Sequence, residues 1–123
     1  MYELKIVTQF AAAHRLENFY GKCEGLHGHN WKVEVFLAGE QLDEAGLLVD
    51  FGVIKARTNA LLEEIDHKYL NELEAFREQN PSSENLARYL FERLSVDVIR
   101  NGVRVSRVNV WESDNSCASY YRD

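Results

Sequence analysis

Three side chains able to bind borderline or soft metal ions fall within the seven residues Cys23-Glu24-Gly25-Leu26-His27-Gly28-His29. If the chain is extended from His29 onward, the two-residue period of a strand puts His27 and His29 on one face. Gly28 between them leaves room for close backbone approach. Two neutral imidazoles sharing a face suit zinc, and a catalytic zinc takes three protein ligands and keeps a fourth position open. The chain has four histidines. His14, in Ala11-Ala12-Ala13-His14-Arg15-Leu16 at the end of the first predicted strand, is the best candidate for the third ligand. A lone histidine is an ordinary surface or core residue; a His-x-His pair with a nearby cysteine and a strand-end histidine points to a metal site.

Cys23 lies four residues before His27, near enough to ligate the same ion or to work beside it. As a ligand it would close a structural Cys-His site, although purely structural zinc sites are usually richer in cysteine. As a free thiol with its pKa lowered by nearby positive charge, it could take a proton from a carbon held against the metal. Asp66-His67 is a second titrating pair, and at a helix C-terminus the imidazolium could simply be favoured by the dipole. Glu112 ends the apolar run Val108-Asn109-Val110-Trp111-Glu112. It is either a surface carboxylate or, in a cleft, an acceptor of two parallel hydrogen bonds from an amino-substituted ring. Spacing leaves both open.

These residues need elements to hold them. Tyr2, Leu4, Ile6 and Phe10 alternate with Glu3, Lys5 and Gln9, which predicts a half-buried strand over 2–10. Residues 15–28 carry Asn18, Gly21, Gly25 and Gly28 without sustained periodicity, so Cys23 is expected on a loop. Trp31, Val33, Val35 and Leu37 share a face with His29 in a second strand ending near Gly39. Asp50 is a plausible N-cap for a helix through Ile65, with Val53, Ile54, Arg57, Leu61 and Leu62 at helical spacing. Residues 68–71 read as a loop. Pro81-Ser82-Ser83-Glu84-Asn85 announces a second helix, capped by serine and carrying a glutamate in its first turn. Its apolar positions run through Leu86, Leu90, Leu94 and Val98 to a stop at Asn101-Gly102. Strands over 103–112 and 117–122 follow, separated by a polar turn. The order β-β-α-α-β-β predicts an α+β fold, a four-stranded antiparallel sheet with two helices on one face. Its two open edges would be closed by pairing with copies of itself.

At 123 residues, 46% hydrophobic and 28% charged, the chain reads as one domain spanning 1–123. Fourteen basic against twenty acidic residues give a net charge of −6, which argues against nucleic acid or an anionic membrane as the main partner. There is no amino-terminal signal pattern and no apolar run of about 18 residues, so a cytoplasmic protein is expected. Cys23 and Cys117 are then best treated as free thiols.

Taken together, Ala12-Ala13-His14-Arg15-Leu16, Cys23 with His27-Gly28-His29, Asp50-Phe51, Asp66-His67 with Leu70-Asn71, Ser83-Glu84-Asn85 and Glu112 resemble the 6-pyruvoyltetrahydropterin synthase superfamily, the tunnelling-fold enzymes, over nearly the whole chain. The resemblance implies zinc on His14, His27 and His29, Cys23 as the proton-abstracting thiol, and Asp66 and His67 as its relay partners. It implies Glu112 as the anchor of the pterin ring, with Ser83 and Glu84 in the substrate site. It also implies trimers closing their sheets into a barrel, two trimers stacked as a homohexamer, and sites at subunit interfaces. The three residues between Cys23 and His27 look like the bacterial 6-carboxytetrahydropterin synthase branch of queuosine biosynthesis, which acts on 7,8-dihydroneopterin triphosphate. The pyruvoyl-forming branch usually has two more. Ser82-Ser83 stands where the family often carries threonine and keeps the hydroxyls. Lys22, Arg15 and Lys68 are candidates to meet the triphosphate.

Two readings compete from other classes. His27-x-His29 followed by Glu34 matches part of a cupin metal motif, but the single proline, Pro81, and the two helical patterns in mid-chain oppose that barrel. A non-catalytic zinc-binding oligomeric module would instead close the coordination with Cys23.

Overall fold

The computed structural model describes residues 1–18, 20–21, 25–97 and 99–122. Lys22, Cys23 and Val98, each given a part above, lie outside the described residues. In chain order the elements are strands β1 (Tyr2–His14) and β2 (His27–Gly39), helix α1 (Phe51–Glu63), strand β3 (Lys68–Tyr69), helix α2 (Ser83–Ser95), and strands β4 (Val103–Ser113) and β5 (Ser116–Tyr121). Two single 3-10 turns, Leu70–Glu72 and Glu74–Phe76, lie between β3 and α2.

β1 and β2 pair antiparallel along their whole length, from Tyr2 opposite Gly39 to His14 opposite His27. That register sets Ile6 across from Val35 and Phe10 across from Trp31, so the buried residues of both strands occupy one face. Val108 and Val110 of β4 extend the same face beyond β2, opposite Val35 and Val33. Both helices cover it: Ile54, Leu61 and Leu62 of α1 and Leu86, Leu90 and Leu94 of α2 belong to the same core cluster. Each helix starts on a side-chain cap, Asp50 accepting from the Gly52 N–H at 2.8 Å and Ser82 from the Asn85 N–H at 3.1 Å. A cap of this kind is worth about 1 kcal/mol.

The α+β class with two helices is as expected, but the sheet differs. Among the described residues it has five strands in the order β3-β1-β2-β4-β5 and is mixed, because β3 pairs parallel to β1 at Ala12–Lys68 and Ala13–Tyr69. Two residues are too few to display a period, which is why 68–71 reads as a loop in sequence. β1 also runs to His14 rather than Phe10, since Ala11-Ala12-Ala13 is too uniformly small to show alternation. α2 stops at Ser95, well before Asn101-Gly102. Three and four residues after Leu94 stand Asp97 and Val98, and the Asp97 carbonyl accepts from Arg57 at 3.0 Å. Gly102, with φ +82°, serves the turn into β4.

Candidate metal centre

His14 ends β1, His27 and His29 open β2, and Glu112 lies near the end of β4, all with the parity of the helix-covered face. One ligand atom from each of the four lies within 4.8 Å of every other, a group that could hold a metal ion. Trp31, fully buried, forms its floor. Its ring centroid lies 4.9 Å from that of His14 and 5.1 Å from that of His29, both edge-on, and its indole N–H donates to the Ala12 carbonyl at 3.2 Å.

The hydrogen bonds behind the imidazoles decide their tautomers. His14 Nδ1 is 2.7 Å from the Pro81 carbonyl and His27 Nδ1 is 2.8 Å from the Gly25 carbonyl. A carbonyl only accepts, so both Nδ1 atoms carry the proton and both neutral rings present an Nε2 lone pair. Those Nε2 atoms stand 3.0 Å apart. Two lone pairs at that distance repel unless a metal ion or a shared proton lies between them. Two nitrogens about 2.0–2.1 Å from one tetrahedral zinc would sit about 3.3–3.4 Å apart, close to what is seen. Tying the far nitrogen of a ligand histidine to a carbonyl is also the usual support of a bound metal. The donor set therefore fits zinc.

Glu112 is the fourth member. Its Oε1 is 2.9 Å from His29 Nε2 and 4.0 Å from His27 Nε2, while its Oε2 accepts from the Ser83 hydroxyl at 3.2 Å. Ser83 thus stands at the site, whereas Glu84, exposed in the first turn of α2, is not in the group. Gly28 does not meet the expectation of close approach: a Cβ there would touch only the Ala12 carbonyl at 3.8 Å, an ordinary contact.

Segment 80–85 ties the site together. Pro81 holds His14, Ser82 caps α2, Ser83 reaches Glu112, and the Asn85 amide donates to the Asn80 carbonyl at 2.8 Å. Asn80 itself grips Glu17 twice, accepting from its N–H and donating to its carbonyl, both at 2.8 Å. Asn71 does the same to Arg15, at 2.8 and 2.7 Å. Two side-chain amides thereby replace a neighbouring strand along the stem after His14. Arg15, a candidate for the triphosphate, has its guanidinium on Glu17 at 3.0 Å.

Asp66 and His67 stand apart from the four-residue group. Asp66 Oδ1 accepts from the Ala11 N–H at 2.9 Å and its Oδ2 lies 3.6 Å from His67 Nε2; the His67 side chain is 80% exposed, at φ +58°. His67 borders an open groove of about 500 Å³ with Lys68, Tyr69, Ala11, Ala13 and Asn30. Ala11, Ala13 and Asn30 have the parity opposite to the imidazoles, but His29, one of the imidazoles, also lines the groove, so it reaches the metal group at the end of the sheet.

The sequence profile described as 6-pyruvoyl tetrahydropterin synthase matches residues 3–123. The chain belongs to the 6-pyruvoyl tetrahydropterin synthase family. Among relatives in this family, a putative 6-carboxy-5,6,7,8-tetrahydropterin synthase of Archaeoglobus fulgidus is 36% identical, with 95% of this chain and 93% of that one covered. A 6-carboxy-5,6,7,8-tetrahydropterin synthase of Synechocystis is 34% identical over 91% of this chain and 87% of its own. The solved structure of the Caenorhabditis elegans 6-pyruvoyl tetrahydropterin synthase superposes with a TM-score of 0.86 at 29% identity, covering 99% of this chain and 96% of that one. Within this 6-pyruvoyl tetrahydropterin synthase fold, the parts that sequence reasoning missed are the supports: Pro81, the Gly25 carbonyl, Asn71 and Asn80. Backbone acceptors carry no residue-type signal. Trp31, by contrast, stands on the face of His29 as the alternation predicts.

Proposed function

We propose that the chain is a zinc-dependent 6-carboxy-5,6,7,8-tetrahydropterin synthase, a lyase acting on 7,8-dihydroneopterin triphosphate in queuosine biosynthesis. The observation carrying this reading is the convergence of three imidazoles beside the Ser83–Glu112 pair in a chain of this family. The relatives named as carboxy-forming enzymes and the three-residue gap between Cys23 and His27 support the carboxy branch over the pyruvoyl one.

His14, His27 and His29 would hold the ion, which when bound supplies Lewis acidity toward the substrate's side-chain oxygens. Glu112 accepts two hydrogen bonds from the amino-substituted pterin ring and so fixes the side chain over the imidazoles, with Ser83 orienting the carboxylate. Cys23 removes the proton from the side-chain carbon so acidified. His67, oriented by Asp66, exchanges protons on the opposite side while triphosphate leaves. Loss of triphosphate from the end carbon leaves an enol that becomes a methyl ketone, and the ring imine is reduced at the expense of the one remaining carbinol, giving two adjacent carbonyls. Water then adds across the bond between them: the inner carbon leaves as the ring carboxylate and the outer one as acetaldehyde. Asp66 and His67 are not part of the His14–His27–His29–Glu112 group, and a neighbouring subunit of a homohexamer would bring that pair to the thiol of another. A cytoplasmic location accompanies this reading.

Mass spectrometry of the products from zinc-loaded protein and dihydroneopterin triphosphate tests it. The expected result is a 6-carboxytetrahydropterin with one equivalent of acetaldehyde. A pyruvoyl product without acetaldehyde would assign the chain to the pyruvoyl branch, and no turnover of any pterin would favour a zinc-binding module.

A further inference from the structure

On the helix-free face, Glu34 is only 8% exposed although it belongs to a row with the opposite parity to His27 and His29. Its Oε1 accepts from the Trp111 indole N–H at 2.6 Å and from the Asn109 amide at 3.2 Å, and its Oε2 lies 3.2 Å from Lys5 Nζ. Asn109 in turn accepts from the Ser119 hydroxyl at 2.6 Å, and Lys32 Nζ sits 4.3 Å over the Trp111 ring. The network crosses β1, β2, β4 and β5: Glu34, Asn109 and Ser119 share one row, with Lys5 in the row to one side and Trp111 and Lys32 in the row to the other. A carboxylate removed from water in this way costs more than an apolar side chain would, unless its bonds serve something. Burial pushes its pKa up, but the Trp111, Asn109 and Lys5 contacts outweigh this and hold it below the usual carboxylate range, so it stays ionised.

What those bonds hold is the end of β4. The β2–β4 ladder stops at Lys32 opposite Trp111. On the other side the register jumps from Trp111–Cys117 to Ser113–Ser116, an irregularity that spans Glu112. Glu112 therefore lies past the last β2 pair and inside a bulge, the kind of feature that re-aims a side chain beside a site. Trp111, the residue before it, is the last residue of β4 paired to β2, and its indole is held at its N–H edge by Glu34 and covered on its ring face by Lys32.

We propose that Glu34 is a positioning residue for Glu112: by fixing the Trp111 indole on one face it sets the strand end that aims the Glu112 carboxylate on the other. The inference rests on the reading of Glu112 as the ring anchor. Glu34 itself cannot touch the substrate there, since its side chain leaves the opposite face of the sheet.

The experiment is calorimetric titration of zinc-loaded protein with neopterin, which has the ring but no phosphate to eliminate. Glu112→Gln sets the scale, and an affinity about thirtyfold weaker is expected from losing a charged acceptor. Trp111→Phe, which keeps the ring and removes only the donor, should weaken binding about fivefold, as should Glu34→Leu, with zinc content native in both. Glu34→Gln, which retains an acceptor for the indole, should recover most of that loss. The double variant Glu34→Leu/Glu112→Gln should bind no more weakly than Glu112→Gln alone. If Glu34→Leu does not fold, Trp111→Phe carries the test. Native affinity in Trp111→Phe beside a weakened Glu112→Gln would overturn this inference and leave the ring-anchor reading intact. Native affinity in Glu112→Gln would overturn that reading and this inference together.

Discussion

The Nε2 atoms of His14 and His27 stand 3.0 Å apart, each ring held from behind by a backbone carbonyl. The two carbonyls come from opposite directions in the chain: Gly25 lies two residues before His27, whereas Pro81 lies 67 residues after His14. The metal face of the site is thus set by long-range folding on one side and by a local bend on the other.

His27→Ala should lose zinc and activity together, because it removes one of three imidazoles. Cys23→Ala should keep its zinc while turnover falls by at least a hundredfold, on the order expected for loss of a general base. Atomic emission beside turnover decides the matter. Loss of zinc from Cys23→Ala to the same extent as from His27→Ala would make the thiol a ligand and close the open coordination position.

The two asparagine clamps make a stability prediction. Asn71→Ala leaves the Arg15 N–H and carbonyl without their partner in a half-buried setting and should cost about 1–3 kcal/mol. Asn80→Ala, whose bonds to Glu17 are solvent-exposed, should cost less. Asn71→Asp should be worse than Asn71→Ala, since it sets a carboxylate oxygen against the Arg15 carbonyl. Thermal melting of the three variants ranks them, and equal melting temperatures would contradict the clamp.

Glu34 gives a pH dependence with a definite sign. Its folded pKa lies below its ordinary value of 4.5, so its stabilisation is fully present above that value and is lost as pH falls through the folded pKa. Stability of the native chain should therefore fall more steeply between roughly pH 5 and pH 3 than that of Glu34→Gln, which has nothing to titrate there. Urea midpoints across that range measure it, and parallel curves would contradict it.

A hexamer is expected in solution. β3 and β5 are the outer strands of the sheet, and a sheet with both edges unpaired is relieved by closure with copies of itself. Light scattering at micromolar concentration that returned a stable monomer would remove the barrel.

The long elements were legible in the sequence because their periods are carried by large residues: Ile6 and Phe10 in β1, Trp31 to Leu37 in β2, and Leu86, Leu90 and Leu94 in α2. The resemblance to the family was legible from ordered motifs rather than from any one of them. What escaped was written in residues without a pattern. The alanines at 11–13 hid the extension of β1, and β3 is shorter than one period. The fifth strand, and with it the mixed sheet, followed from that. At the site, the grouping of His14 with His27 could be suspected from strand ends, but the Pro81 and Gly25 carbonyls could not, because every residue has one.

A backbone ladder is degenerate: it can slide by two residues and keep every side chain on its own face. The paired amides of Asn71 and Asn80 are not, since each addresses one residue, Arg15 and Glu17, and has no second address two positions away. The stem leaving the metal site is therefore indexed, and the β1–β2 register indexes the far end at His27. Any change in the number of residues between Glu17 and His27 must then be absorbed wholly between those two marks, and the imidazoles need not move when it is. A two-residue insertion directly after Cys23, which keeps Gly25 two residues before His27, should accordingly lengthen the distance along the chain from thiol to metal while leaving zinc in place.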